Sequence, residues 1–475
     1  MAIVTSKFRT SAASSFTNSF GTDNIYLLLG RPQSWGNTLS ANFTAQGSGT
    51  ITDNNPPSPA DNYLNEYNAW RDAMAAVKLS TADVRVCTTR NNWVAGTRYD
   101  MYRHDISSAK ATSTGKFNLS ESNMIVYVPT TGRVYKCLYN GTTPASTTGV
   151  VSTVAPSTTN AAPETTADGY VWKYLYTLTA VDADFITANY IPVPTTQSVS
   201  NINGINVVVV ESGGSGYTSP PTVTIYGDGA GATATADVTS GSVTKVNIST
   251  PGAGYTWAKV VFSGGGGGAG AVAVPIIAPN GGHGSNLIAE CNAHNVMIAG
   301  TVSGYLQSDV PVNQDFRTVA LIKNPGVYVT SSVTSAGTKA SVGTARITPT
   351  LVMTSTATVA PANDTVLSNA AGAVGIFAFQ SSGTVSLQYI QPMTVDSNTM
   401  SADDLNRADA GTLKLKQFAN GNLLTGTGYS ETISSTTSIT PELQPYSGEM
   451  LYLDYRQPVT RAAGQNEKIN IVVNF

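Results

Sequence analysis

SGEMLYLDYRQPVTRAAGQNEKINIVVNF, residues 447–475, combines a short apolar run, a basic proline-containing elbow and a final alternating segment. From Lys468 onward, Ile469, Ile471, Val473 and Phe475 alternate with Lys468, Asn470, Val472 and Asn474. A period of two is what a half-buried strand requires, because successive side chains leave a pleated strand on opposite faces. The segment is therefore expected to be built into a sheet. Similar short β runs, broken by Gly, Pro, Ser, Thr and Asn, recur upstream at 25–29, 84–88 and 170–178. Residues 124–128 and 133–139 flank Pro129-Thr-Thr-Gly132 and predict a hairpin.

Residues 58–79 break the β pattern. Tyr63, Tyr67, Trp70, Met74 and Val77 recur at alternating steps of four and three, which marks one apolar helix face. Ser58 and Pro59 supply a start signal, so the spacing predicts a helix over about 59–79 packed against a sheet. A second, short helix is expected within 7–20. Residues 140–166, dominated by Ser, Thr, Pro and Ala, predict a long surface loop or extended arm.

Residues 205–274 contain an internal repeat. INVVVVESGGSGYT begins at Ile205 and VTKVNISTPGAGYT at Val243, so Tyr217 and Tyr255 occupy equivalent positions. Each copy continues with two further β runs around a glycine turn. Three strands bury too little surface to stand alone, which predicts two three-stranded units stacked with pseudo-twofold symmetry. The expected fold is mainly β and multidomain, β-sandwich-like with a few helices and a small all-β insert. Its division is an N-terminal segment 1–95 packing with the C-terminal part, a β domain 96–200, the insert 201–276, removable without loss of the rest, and a C-terminal β region 277–475.

Charged residues make up only 12% of the 475-residue chain, against about 25% in ordinary soluble proteins. The surface must then be covered by Ser, Thr, Asn and Gly, which suits an assembly protein. A net charge of -3 argues against binding along a phosphate backbone. No stretch approaches the ~18 apolar residues of a spanning helix. The start, MAIVTSKFRT, lacks an apolar signal core, so a product of a reducing compartment is expected. Cys87, Cys137 and Cys291, odd in number and widely spaced, read as small buried hydrophobes rather than a disulfide framework or zinc site.

Chemistry has few footholds. His283, Glu290 and His294 match no metal spacing, and no metal or cofactor is expected. The acidic pairs Asp182/Asp184 and Asp403/Asp404 could in principle flank a sugar, but they read as loop or cap residues. The glycines of 264–270 lack the Lys-Ser/Thr ending of a phosphate loop. No enzyme is expected. Tyr217, Tyr226, Tyr255 and Trp257 lie in or beside the repeat loops, where large rigid rings serve either as packing pins or as a recognition surface for sugar or protein.

The tail resembles the baseplate wedge protein family, gene product eight, of T4-like contractile-tailed phages. Further segments resemble it in the same order: YLLLGRPQSW (26–35), GTRYDMY (96–102), VYKCLYN (134–140), TADGYVWKYLY (166–176), NYIPV (189–193), GGHG (281–284) and DFRTV with LIKNP (315–325). The block 201–276 looks like an insertion relative to shorter members, and 331–446 matches weakly. The resemblance implies a structural subunit of the virion tail baseplate, assembled in the host cytoplasm. It further implies a homodimer of β-rich domains that joins other wedge and tail proteins and rearranges on host attachment. The alternative is a carbohydrate-binding or host-recognition adhesin, with the insert touching host surface glycan.

Overall fold

The computed structural model describes the chain except residues 1–2, 33, 37–43, 46–48, 108–109, 111–113, 117–120, 196–202, 303–314, 329–337, 342, 348–349, 356–360, 362–364, 371–373, 382–383, 390–418, 440–441, 445 and 461–464. Antiparallel sheets dominate, and the mainly β, multidomain class is borne out. Two compact units are formed, one from Met1–Thr17, Arg85–Ile298 and Ile471–Phe475, the other from Asn18–Val84 and Ala299–Asn470.

The second unit is built on a five-stranded sheet in the order Thr344–Arg346, Ala73–Leu79, Ile25–Gly30, Asp315–Lys323, Glu449–Thr460. Ile25–Gly30 lies in the middle and is buried along its whole length, so its apolar run is continuous rather than alternating. Here the helix expected over 59–79 is corrected. The helix spans only Tyr63–Arg71, capped by the Asn62 side chain, which accepts the Asn65 N–H at 2.9 Å. Ala73–Leu79 is a strand paired with Ile25–Gly30 on one side and Thr344–Arg346 on the other. Its Ala-Met-Ala-Ala core is buried on both faces, which erases the two-residue period, and ladder bonds to partners distant in sequence override the helical preference of alanine. Trp70 is buried, whereas Tyr63 is 87% exposed.

The switch from helix to strand is held at Asp72. Its carboxylate Oδ2 accepts from Arg31 Nη1 at 2.8 Å and its carbonyl accepts the Arg31 N–H at 2.7 Å, while the Arg31 guanidinium lies 4.0 Å from the Trp35 ring centroid. Gly30 is required there, because a Cβ would stand 2.7 Å from the Asp72 carbonyl oxygen. Residues 331–446, unassigned from sequence, contain a closed barrel of Thr350–Ser355, Thr384–Tyr389, Val374–Ser381, Val366–Ser368, Leu423–Gly426 and Tyr429–Ile439. Closure leaves that sheet no free edge.

In the first unit the expected hairpin is present, Ile125–Val128 pairing with Arg133–Asn140, and Tyr170–Thr177 and Glu164–Thr165 extend it. A second sheet runs Tyr190–Pro192, Val84–Thr89, Asn295–Val302, Glu467–Asn474. The terminal strand is as expected: Ile469 and Ile471 are buried, Lys468, Asn470 and Val472 exposed. Phe475 donates its N–H to the His294 carbonyl at 3.2 Å, and its ring lies 5.5 Å from that of Phe16. The 140–166 loop is fastened rather than extended. Asp168 accepts from Ser152 Oγ, Thr153 N and Val154 N, and Glu164 from Ser157 and Thr158.

The repeat block forms one six-stranded sheet in the order Ala258–Ser263, Thr222–Gly227, Ala230–Thr239, Ser242–Ala253, Val207–Ser215, Ala269–Ile276. Pseudo-twofold symmetry is present, since Val208 and Val246, equivalent in the two copies, pair with each other. The expected stacking of two separate units is corrected: the copies exchange strands, the first strand of each pairing with the third strand of the other. Exchange pairs edges that a three-stranded unit would leave open. Along Val207–Ser215 and Ala269–Ile276 the side chains also divide between two cores. Val208, Val210 and Ala273 enter the repeat's own core, while Val207, Val209 and Ile276 enter an aromatic core with Tyr99, Tyr139 and Trp172. The insert therefore shares a core with its host domain.

Candidate functional site

The four aromatic residues singled out in the repeat separate into two pairs. Tyr217 and Tyr255 are buried, and each reaches into the other copy: Tyr217 Oη accepts the Ala271 N–H at 3.4 Å and Tyr255 Oη the Ala232 N–H at 3.2 Å. A Cβ on Gly268 would meet the Tyr217 ring at 2.4 Å and one on Gly229 the Tyr255 ring at 2.5 Å, so glycine is needed where each ring packs. These tyrosines are packing pins and do not belong to a surface. Tyr226 and Trp257 are each 56% exposed.

Asp228, two residues after Tyr226, anchors the segment that carries Trp257. Its carboxylate accepts from Thr256 Oγ1, from Thr256 N at 2.9 Å and from Trp257 N at 3.1 Å. The Thr256 side-chain bond and then the two backbone bonds hold its carboxyl down at about 2, so it stays ionised at every ordinary pH. Antiparallel pairing sets Tyr226 opposite Lys259, and both are exposed.

A second cluster is internal. Of the three metal-type residues considered from sequence, His283 and Glu290 meet and His294 does not join them; its Nδ1 lies 2.8 Å from the Asn292 carbonyl oxygen. Glu290 Oε1 lies 2.9 Å from Lys136 Nζ and 2.8 Å from His283 Nδ1, and Oε2 accepts the Gly284 N–H at 2.6 Å. Lys136 Nζ also stands 4.0 Å from the Tyr102 ring centroid, and Tyr102 packs edge-on against His283 at 4.9 Å. Burial, reinforced by the Lys136 charge, lowers His283 to about 4 and keeps it neutral. Burial would raise Glu290, but Lys136, His283 and the Gly284 N–H outweigh it and hold the carboxyl at about 2.

Lys136 thus neutralises Glu290, and both carboxylate oxygens are engaged by the protein. Sequence reading missed Lys136 and Tyr102. The signal was a lysine inside the otherwise apolar VYKCLYN, since a fully buried lysine demands a partner.

The remaining candidates that the structure describes are engaged in caps, core and turns. Asp182 caps a 3-10 turn, accepting from Thr179 N at 2.9 Å and Thr179 Oγ1 at 2.8 Å. Asp403 and Asp404 lie outside the described residues. Cys87, Cys137 and Cys291 are free and buried, and burial pushes the Cys87 thiol up to about 12, the wrong direction for a nucleophile. The glycines of 264–270 form the turn between Ala258–Ser263 and Ala269–Ile276.

Comparison with known proteins gives two findings. The family model described as Bacteriophage T4, Gp8 matches residues 2–161. The baseplate wedge protein gp8 of Enterobacteria phage T4 is 31% identical over 216 residues, which cover 41% of this chain and 60% of that relative. The match to the family model includes the Arg31–Asp72 corner and the Lys136 strand and ends before the repeat block. The resemblance carried by the sequence is borne out: over part of its length the chain is similar to the Gp8 family of phage baseplate proteins, and it spans about 60% of the relative it matches.

Proposed function

We propose that this protein is a structural subunit of the baseplate wedge of a contractile-tailed bacteriophage. The observation that carries the reading is its similarity, over 216 residues, to a protein named as a baseplate wedge protein. The chemistry of the fold supports it. The carboxylates, imidazole and amine that the fold gathers are engaged in internal bonds, and Ser- and Thr-rich loops cover β scaffolds. Its work is mechanical: it binds neighbouring wedge and tail proteins, is assembled with them in the host cytoplasm, and changes contacts when the tail engages a host. It associates with a second copy of itself, twofold pairing being the commonest closed association.

Co-expression with the other baseplate proteins of the same phage tests this. The expected result is a defined complex of fixed stoichiometry, and light scattering of the protein alone at twice its 49.4 kDa chain mass. A chain that stays monomeric and co-purifies with none of those proteins refutes the reading.

A further inference from the structure

We infer that the outer face of the strand pair Thr222–Gly227 and Ala258–Ser263 is a glycan-binding surface, with Tyr226 and Trp257 as stacking platforms. Alternation decides what that face presents. Val223, Ile225, Ala258, Val260 and Phe262 point into the repeat core. The opposite face carries the registered pairs Thr222 with Ser263, Thr224 with Val261, and Tyr226 with Lys259. It is therefore a hydroxyl-lined ribbon that ends in Tyr226 and Lys259, and the chain segments that continue it carry Asp228 and the exposed Trp257.

The arrangement fits a sugar better than a protein. A pyranose ring has apolar C–H faces, which stack on Tyr and Trp, and an equatorial rim of hydroxyls, which need donors and acceptors at the ring edges. Thr222, Thr224, Ser263 and Lys259 supply those groups in a line along the strands. A stable protein partner needs about 1,200–2,000 Å² of buried surface with an apolar centre, and a face with only Tyr226, Trp257 and Val261 as large apolar groups provides no such centre.

The platform is also held in place before any ligand arrives. Asp228 fixes the Thr256–Trp257 segment by accepting two backbone N–H bonds and one from Thr256 Oγ1, and the buried Tyr255 ring packs against Gly227 and Gly229 beneath. Less ordering remains to be done on binding. Glycan capture by this face is independent of wedge placement, because it stands on the repeat block, which lies beyond the matched residues 2–161.

The test presents the full-length protein to an array of immobilised bacterial surface oligosaccharides and follows hits by titration. Binding is expected, with at least about a tenfold loss in Tyr226→Ala and in Trp257→Ala, a loss of roughly 1.4 kcal/mol or more. Melting temperatures should be unchanged, because both side chains are exposed. Asp228→Ala should weaken binding through loss of Trp257 positioning, and Trp257→Phe should keep part of the binding that Trp257→Ala loses. Absence of any array binding at millimolar glycan overturns the inference. So does binding that persists in the Tyr226→Ala/Trp257→Ala double variant, or a double variant that loses only self-association.

Discussion

Replacing residues 205–277 by a short Gly/Ser linker should unfold the aromatic domain that hosts the repeat. Closing the gap is not the obstacle, since each doubling of loop length adds only about 0.6 kcal/mol. The obstacle is the shared core. Deletion strips Val207, Val209 and Ile276 from contact with Tyr99, Tyr139 and Trp172. At about 1.5–3 kcal/mol for each buried side chain, three amount to about 5–9 kcal/mol, comparable with the ~5–15 kcal/mol that holds a whole domain. The assay is calorimetry and near-ultraviolet circular dichroism of full-length and deleted chains. A graded version isolates the cause: Val209→Ala removes two carbons worth about 0.8 kcal/mol each plus a cavity term, about 2 kcal/mol altogether. Val272→Ala, at a site 51% exposed on the same sheet, should stay within about 0.5 kcal/mol of wild type. A deletion protein that melts cooperatively at the wild-type temperature, or equal effects of the two alanines, would refute the shared core.

Lys136→Met leaves Glu290 buried without its cation and should destabilise the first unit by about 3–5 kcal/mol, read by urea denaturation, with Lys136→Met/Glu290→Leu recovering part of the loss. His283 is held at about 4 when folded, against 6.5 when exposed, so between those values the unfolded chain takes up a proton that the folded chain refuses. Its contribution is full above 6.5 and is lost as pH falls toward 4; melting temperatures measured across that window should fall more steeply for wild type than for His283→Gln, and parallel slopes would contradict the buried neutral imidazole. Truncation of residues 469–475 removes the buried Ile469 and Ile471, about 3–6 kcal/mol, and exposes the Asn295–Val302 strand edge, so aggregation or loss of cooperative melting is expected in a thermal scan.

Local periodicity was enough wherever one face of an element meets a core and the other meets water. The terminal strand is the clearest case, because the alternation of Ile469 and Ile471 with Lys468 and Asn470 is itself the record of burial on one side. The 125–140 hairpin was likewise readable from its own residues, and the Ser6–Ser19 helix stands where a short one was expected within 7–20. The rest failed where burial is two-sided. Ala73–Leu79 carries no alternation because sheet neighbours and both packed faces are apolar, and its fate as a strand is decided by Ile25–Gly30 and Thr344–Arg346, far away in the chain.

The candidate site divides along the same line. The repeat and the equivalence of Tyr217 with Tyr255 are visible as text, but which aromatic rings face inward is not. Strand exchange between the copies buries Tyr217 and Tyr255 and leaves Tyr226 and Trp257 outside. Likewise His283 and Glu290 lie close in sequence, yet the lysine that decides their chemistry comes from a strand about 150 residues earlier, at Lys136. By itself the sequence determined the β class, the repeat, the terminal strand and the family resemblance, because these depend on patterns within a segment. Only the tertiary structure decided the Ala73–Leu79 strand, the shared core of the insert and the Lys136–Glu290–His283 brace, because the energies that select them come from surfaces and charges joined across distant parts of the chain.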